Sequence, residues 1–268
     1  MFSRIKSRVL GLAVITLLLV PTLVQASEIL DKSRLEQGVI SINDKGAKFI
    51  SPKPLKVMIS KDGEKYSYDV NENNNFPLQG GDGEYRIDVL EKVSGKMYKV
   101  LSREEVQVVM PDKHAVYLQS IQLIHWDESM EPVKRAAELT AKAKSDQEKL
   151  TAIYKDVVNR VSYDYEKART VKSAYIPSIE ESYASRQGIC YDYASLTAAM
   201  LRSVGIPAKL VMGYKADLQE YHAWNEVYLE ESGQWVTIDT TYDAMQARNK
   251  VPGVMVKEER EYQPQKRY

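Results

Sequence analysis

Near Trp126 the hydrophobic period of this chain changes from two residues to about three and a half. That change limits the folds open to it, because period two marks half-buried strands and the longer period marks amphipathic helices. Before the change, Leu55, Val57 and Ile59 alternate with polar residues, and Tyr66, Tyr68 and Val70 do the same after Asp62-Gly63. An Asp-Gly pair between two alternating runs predicts a hairpin. Tyr85, Ile87 and Val89 form another strand, Ser94-Gly95-Lys96 turns the chain into Met97–Leu101, and Val106 with Val108 and then Val116 to Ile124 suggest two more. Residues 27–124 therefore read as a small β-sandwich-like domain.

After Trp126 the helical period takes over. Glu131 to Lys144 is Ala-rich and free of Gly, so 125–146 reads as a helical linker. Ser145 with Glu148, and Ser178 with Glu181, have capping-box spacing. Leu150, Ile153, Tyr154, Val157, Val158 and Val161 fall on one helical face. A further helix starts at Cys190 and stops at Gly205, with Pro207 just beyond. Ala208–Tyr214, His222–Leu229 and Gln234–Ile238 then read as strands. Helices followed by strands predict an α+β domain over 147–268. The charged stretch Lys257–Tyr268 reads as solvated surface or disordered tail.

Residues 1–26 have the order of a secretory signal peptide. Arg4, Lys6 and Arg8 precede an apolar run, Val9–Val20, and small residues follow at Val24-Gln25-Ala26. Twelve apolar residues are short of the ~20 that a bilayer span needs, so the expectation is cleavage, a secreted, cell-surface or periplasmic location, and no stable membrane span. Cleavage removes those three basic residues from 37 and none of the 37 acidic ones, leaving 34 against 37, a net charge of −3. That balance speaks against nucleic acid as a partner. An exported chain with one Cys cannot close an internal disulfide, so Cys190 is free and reactive or bonded to another molecule. One Cys and three scattered His offer no metal-ligand cluster, and no EF-hand spacing is present; no cofactor or metal is expected.

Three segments carry the chemistry. They are Gly188-Ile189-Cys190-Tyr191-Asp192-Tyr193-Ala194, Tyr221-His222-Ala223-Trp224-Asn225-Glu226-Val227, and Trp235-Val236-Thr237-Ile238-Asp239-Thr240-Thr241. A thiol nucleophile needs a base for its proton, and the base needs a third group to hold its ring. A helix N-terminus favours thiolate through its unpaired N–H groups and dipole. Cys190, His222 and Asp239 are thus the candidate catalytic residues. Asp192 is better placed to accept N–H bonds within its own helical turn, and Gly188 permits a sharp turn before the thiol. His114 and His125 fall outside these segments, as surface or interdomain groups. Of the 18 tyrosines some would line a cleft or donate to an oxyanion, although core packing accounts for most.

These segments resemble the transglutaminase-like core, with its pattern G-x-C-x-D-x-A, then H-A-W-x-E-V, then W-x-x-x-D-x-T. The matching positions are Gly188, Cys190, Asp192 and Ala194; His222, Ala223, Trp224, Glu226 and Val227; and Trp235, Asp239 and Thr241. Leu201 to Ala208 is similar to the link between the family's nucleophile helix and its next strand. The resemblance spans about 147–243 and implies a papain-like fold with a Cys-His-Asp triad. It implies an acyltransferase or amidase acting on protein or peptide carboxamides through a thioester. A non-catalytic surface-binding module on the same scaffold is the alternative.

One geometric condition is open at this level. A two- or four-residue loop centred between Glu231 and Ser232 sets Trp224 opposite Asp239 and puts His222 on the same face, one diagonal step away. A three-residue loop puts His222 and Asp239 on opposite faces.

Overall fold

The computed structural model describes residues 29–42, 51–71, 73–251 and 253–268. The expected signal peptide, residues 1–26, lies outside them. Among the described residues no helix is long and apolar enough to cross a membrane.

The first half is built from two antiparallel sheets. β1 (Leu30–Asp31), β2 (Val39–Ile42) and β5 (Asn75–Pro77) form one, in the order β1-β2-β5. β3 (Leu55–Lys61), β4 (Glu64–Asp69), β6 (Gly83–Ser94) and β7 (Met97–Val108) form the other, in the order β4-β3-β6-β7. Asp62 and Gly63 both adopt positive φ, +50° and +86°, and so close the β3–β4 hairpin with the twist that flanking strands require. Leu55, Val57 and Ile59 are buried as their alternation predicts. Tyr68 of one sheet meets Phe76 of the other, with ring centroids 5.3 Å apart.

Two details differ from the sequence reading. The residues read as separate strands around 97–101 and 106–108 are one strand, β7, paired with β6 along its length. Val116 to Ile124 is not a strand. Residues Ala115–Leu118 make a 3₁₀ turn, and Ile121 and Ile124 then face each other in an isolated bridge. Their apolar side chains are buried against the second half of the chain, so burial is satisfied without a ladder.

In the second half the helices come first. They are α1 (Glu131–Thr140), α2 (Asp146–Arg160), α3 (Tyr165–Thr170), α4 (Ile179–Ser185) and α5 (Cys190–Ser203). The caps fall where the sequence places them: Ser145 Oγ accepts from Glu148 N–H at 3.1 Å, and Ser178 Oγ from Glu181 N–H at 3.2 Å. Gly205, at φ +83°, follows the end of α5. The stretch expected as a linker contains α1, which packs on α5.

β8 (Ser162–Tyr163) and β9 (Gln187–Gly188) form a short parallel pair. The main sheet is antiparallel, in the order β13-β12-β11-β10-β14. It comprises β10 (Ala208–Lys215), β11 (His222–Leu229), β12 (Gln234–Ile238), β13 (Val256–Lys257) and β14 (Tyr262–Arg267). α6 (Thr240–Arg248) follows β12 directly. α5 lies across β10 and β11, and Tyr193, Leu196, Met200 and Leu201 on it are fully buried. Each such aliphatic side chain contributes about 1.5–3 kcal/mol by leaving water. The fold is α+β, a helical layer on an antiparallel sheet preceded by a small β-sandwich-like region.

The stretch expected as a solvated tail is β14, an ordered edge strand on β10. Its charges are neutralised on the outer side, with Arg267 bonded to Glu226 at 3.0 Å and Lys266 to Glu64 at 2.9 Å. Tyr262 is turned inward and buried. Charge content alone concealed this alternation of inward and outward residues. Gly213 on β10 makes the pairing possible. A Cβ there would stand 2.1 Å from the Gln263 carbonyl oxygen and 2.9 Å from the Trp224 ring.

Candidate active site

The loop between β11 and β12 has four residues, Glu230–Gly233, between the paired ends Leu229 and Gln234. Asn225 pairs with Ile238, so the register carried one step further sets Trp224 opposite Asp239. This is the arrangement that brings His222 and Asp239 to one face. His222 Nε2 lies 2.8 Å from Asp239 Oδ2, and both side chains are buried.

Asp239 also serves as N-cap of α6. Its Oδ1 accepts the Tyr242 N–H at 2.9 Å, and its Oδ2 accepts the Tyr262 hydroxyl at 3.1 Å as well as the imidazole. Capping a turn and orienting a histidine were alternatives for this residue; one carboxylate does both. Tyr262 was not singled out from sequence. The signal available was its place at the head of the alternating 262–267 run, but its contact with Asp239 depends on β14 crossing to pair with β10. Burial, and then the adjacent Asp239 charge, push its phenol well above the usual range. It therefore stays protonated and donates.

Cys190 is the first residue of α5 and is partly exposed. It lines the same cleft as His222, about 610 Å³ in volume, together with Tyr163, Tyr221 and Thr241. Asp239 occupies Nε2, so Nδ1 is the ring nitrogen left for the thiol. Burial of the ring opposes its charge. The attraction and hydrogen bond of Asp239 outweigh that, aided by the Cys190 sulfur, and push His222 up to about 10. The imidazolium form is thus favoured beside the sulfur, as a thiolate–imidazolium pair requires.

The elements bearing the three groups are bonded to one another. Asn225 of β11 donates through Nδ2 to the Ala194 carbonyl of α5 at 2.9 Å and to the Lys209 carbonyl of β10 at 3.0 Å. Thr197 of α5 and Thr240 of α6 share a hydroxyl–hydroxyl bond of 3.1 Å. His222 stacks on Trp224, with centroids 6.2 Å apart, and Trp224 in turn meets Tyr262 at 5.0 Å. Trp224 is a wall of the site from within the core.

Asp192 takes the role its position predicts. Its Oδ2 accepts the Ile189 N–H at 2.8 Å and faces Lys167 Nζ at 2.9 Å, and its Oδ1 accepts the Tyr175 hydroxyl. Gly188 is not in a turn but in β9, where a Cβ would come within 2.7 Å of the Asp192 Cβ. Glycine is needed there so that the carboxylate can close over the start of α5. His114 lies outside this cleft, its ring tilted against Tyr228 at 3.9 Å and edge-on to Trp235 at 5.6 Å between centroids. His125 pairs with Ser120 at 3.2 Å.

A thiol at a helix start, a buried carboxylate-bound histidine and an open cleft are the groups that thiol acyl chemistry uses. Residues 133–240 match the family model of the Transglutaminase-like superfamily, and the chain is similar to that superfamily over this segment. The segment begins inside α1 and ends at Thr240. The mouse protein "Kyphoscoliosis peptidase" is similar, 31% identical over 117 residues that cover 40% of this chain and 17% of the mouse protein. The Pseudomonas aeruginosa "Protein-glutamine gamma-glutamyltransferase" is 35% identical over 78 residues, covering 25% of this chain and 12% of that protein. The matched part is therefore less than a fifth of either relative. Among solved structures, red sea bream transglutaminase aligns over 76% of this chain and 48% of its own, at 14% identity and a TM-score of 0.35.

Proposed function

We propose that this chain is an exported cysteine-dependent acyltransferase or amidase acting on protein or peptide carboxamides. One observation carries the reading: Cys190 and His222 face one cleft while Asp239 holds the imidazole from behind at 2.8 Å. The match of residues 133–240 to the superfamily model supports it, as do the two relatives whose names describe a peptidase and a glutamyl transferase. Export rests on the leader-like order of residues 1–26.

The steps follow from the groups present. The Cys190 sulfur attacks the carboxamide carbon, a C–S bond forms, and the carbonyl π pair moves onto oxygen. The proton taken by His222 passes to the leaving nitrogen, the C–N bond breaks, and ammonia or an amine departs. Asp239 fixes the ring and stabilises its charge without taking the proton. A second nucleophile then resolves the thioester. A lysine amine gives an isopeptide crosslink; water gives deamidation or peptide hydrolysis.

The test is incubation of the folded chain, lacking residues 1–26, with a glutamine peptide and a labelled primary amine, read by mass. Amine incorporation or loss of ammonia, abolished in Cys190→Ala, is the expected result. Equal product from wild type and Cys190→Ala would reject the reading. An inert thiol in the wild type would leave the scaffold as a binding module.

A further inference from the structure

A tetrahedral intermediate at Cys190 needs two donors for its oxyanion. The Cys190 backbone N–H is one, since the first N–H groups of a helix have no acceptor within it. The other is to be sought among side chains that reach the cleft with a donor to spare. Four tyrosines line the cleft, and of these Tyr242 is committed to Asp217. The hydroxyls of Tyr163, Tyr165 and Tyr221 have no hydrogen-bond partner among the described residues, but Tyr165 and Tyr221 are exposed, at 62% and 48%. Tyr163 alone of the three is partly buried, so its donor is the one least occupied by water.

Its backbone is fixed unusually well for a residue between two helices. Tyr163 pairs in register with Gly188, two residues before the thiol. Ser162 N–H donates to the Arg186 carbonyl at 2.8 Å, and Asp164 N–H to the Gly188 carbonyl at 2.9 Å. The preceding Val161 carbonyl accepts from both Tyr193 Oη, at 2.6 Å, and Arg248 Nη2, at 3.0 Å. Tyr165 braces the ring edge-on, with centroids 5.0 Å apart. Such preorganisation is what electrostatic catalysis requires, because a donor already in place costs no rearrangement as charge develops.

We infer that the Tyr163 phenol is the second oxyanion donor, a catalytic residue that touches the carbonyl oxygen of the acyl donor. The inference rests on the proposed thiol acyl chemistry. As the Cys190 sulfur bonds to the carbonyl carbon and the π pair moves to oxygen, Tyr163 donates its O–H to that oxygen and keeps its proton. When the pair returns, the leaving group departs and the phenol is released unchanged. Burial, and then the nearby Cys190 charge, push the Tyr163 phenol up to about 12. It is therefore a donor, not an anion, across the neutral range.

Two probes separate this role from a structural one. p-Nitrophenyl acetate acylates a thiol through an oxyanion and releases nitrophenol; iodoacetamide alkylates it by displacing iodide, with no oxyanion. In Tyr163→Phe, which keeps the ring, the ratio of acylation to alkylation rate at Cys190 should fall about 10²-fold. A fall of tenfold or more supports the assignment. A change of less than tenfold, including equal slowing of both reactions, overturns it and leaves the triad standing. A fall of tenfold or more in Tyr165→Phe or Tyr221→Phe, with the Tyr163→Phe ratio unchanged, would equally overturn it. If wild-type Cys190 accepts no acetyl group at all, the acyl-transfer reading falls first, and this assignment with it.

Discussion

Asp88 and Asp239 are both fully buried carboxylates associated with antiparallel strands, one in each half of the molecule. Asp88 on β6 stands directly across from Arg103 on β7 and is bonded to it at 2.6 and 3.2 Å. Asp239 closes β12 and is bonded to His222. A guanidinium holds its proton throughout the physiological range, so the first pair can only bind two strands together. An imidazole can release and regain a proton, and its other nitrogen faces a cleft that holds a thiol. Burying a carboxylate thus does not make a site. The partner's ability to exchange a proton, and an opening for substrate, separate the second arrangement from the first.

The difference can be pressed experimentally. Cys190→Ala should reduce amine incorporation by about 10⁴-fold or more, whereas Asp88→Asn should leave it within twofold. Asp239→Asn should cost about 10²–10⁴ in turnover, because the imidazole loses the group that orients and stabilises it. Circular dichroism should show that variant still folded, with a lower unfolding midpoint because the Tyr242 and Tyr262 bonds also weaken.

A pH titration of stability addresses the same pair without substrate. His222 is raised from 6.5 to about 10 on folding, first against burial and then through Asp239. A raised cationic group adds stability that is fully present below pH ~6.5 and is lost as pH rises through about 10. The urea midpoint of the wild type should decline across that window, and His222→Gln should flatten the decline. An unchanged slope would separate His222 from Asp239 in solution.

Smaller effects come from the supporting bonds. Asp88→Asn should lose about 1–2 kcal/mol of stability, a modest figure because half-exposed Arg103 regains solvent. Tyr262→Phe should cost about 0.5–1.5 kcal/mol by removing one donor to Asp239, with turnover falling less than tenfold. Denaturant melts and amine incorporation rates check both.

Much of this site was legible before any coordinates because its residues sit in short local patterns. The helix from Cys190, the strand that begins at His222, the strand that ends just before Asp239, and the Ser145 and Ser178 caps follow from period and spacing. The loop condition at Glu230–Gly233 was stated from sequence, and the four-residue case is the one found. Less legible were residues whose role depends on distant chain. Tyr262 reaches Asp239 only because β14 pairs with β10, and its run was masked by charge. Tyr163 reaches the cleft only because β8 pairs with β9, each two residues long. Residues 115–124 misled for the opposite reason: their apolar content signals burial, which the junction supplies without strand pairing.

Intact-mass trapping of the acyl-enzyme tests the central claim most directly. The chain is mixed with excess glutamine peptide, quenched in acid and digested to locate the adduct. The expected result is a thioester on Cys190 that an added amine discharges, reduced in His222→Ala and absent in Cys190→Ala. Product accumulating with no adduct on Cys190, or at an equal rate in Cys190→Ala, would contradict it.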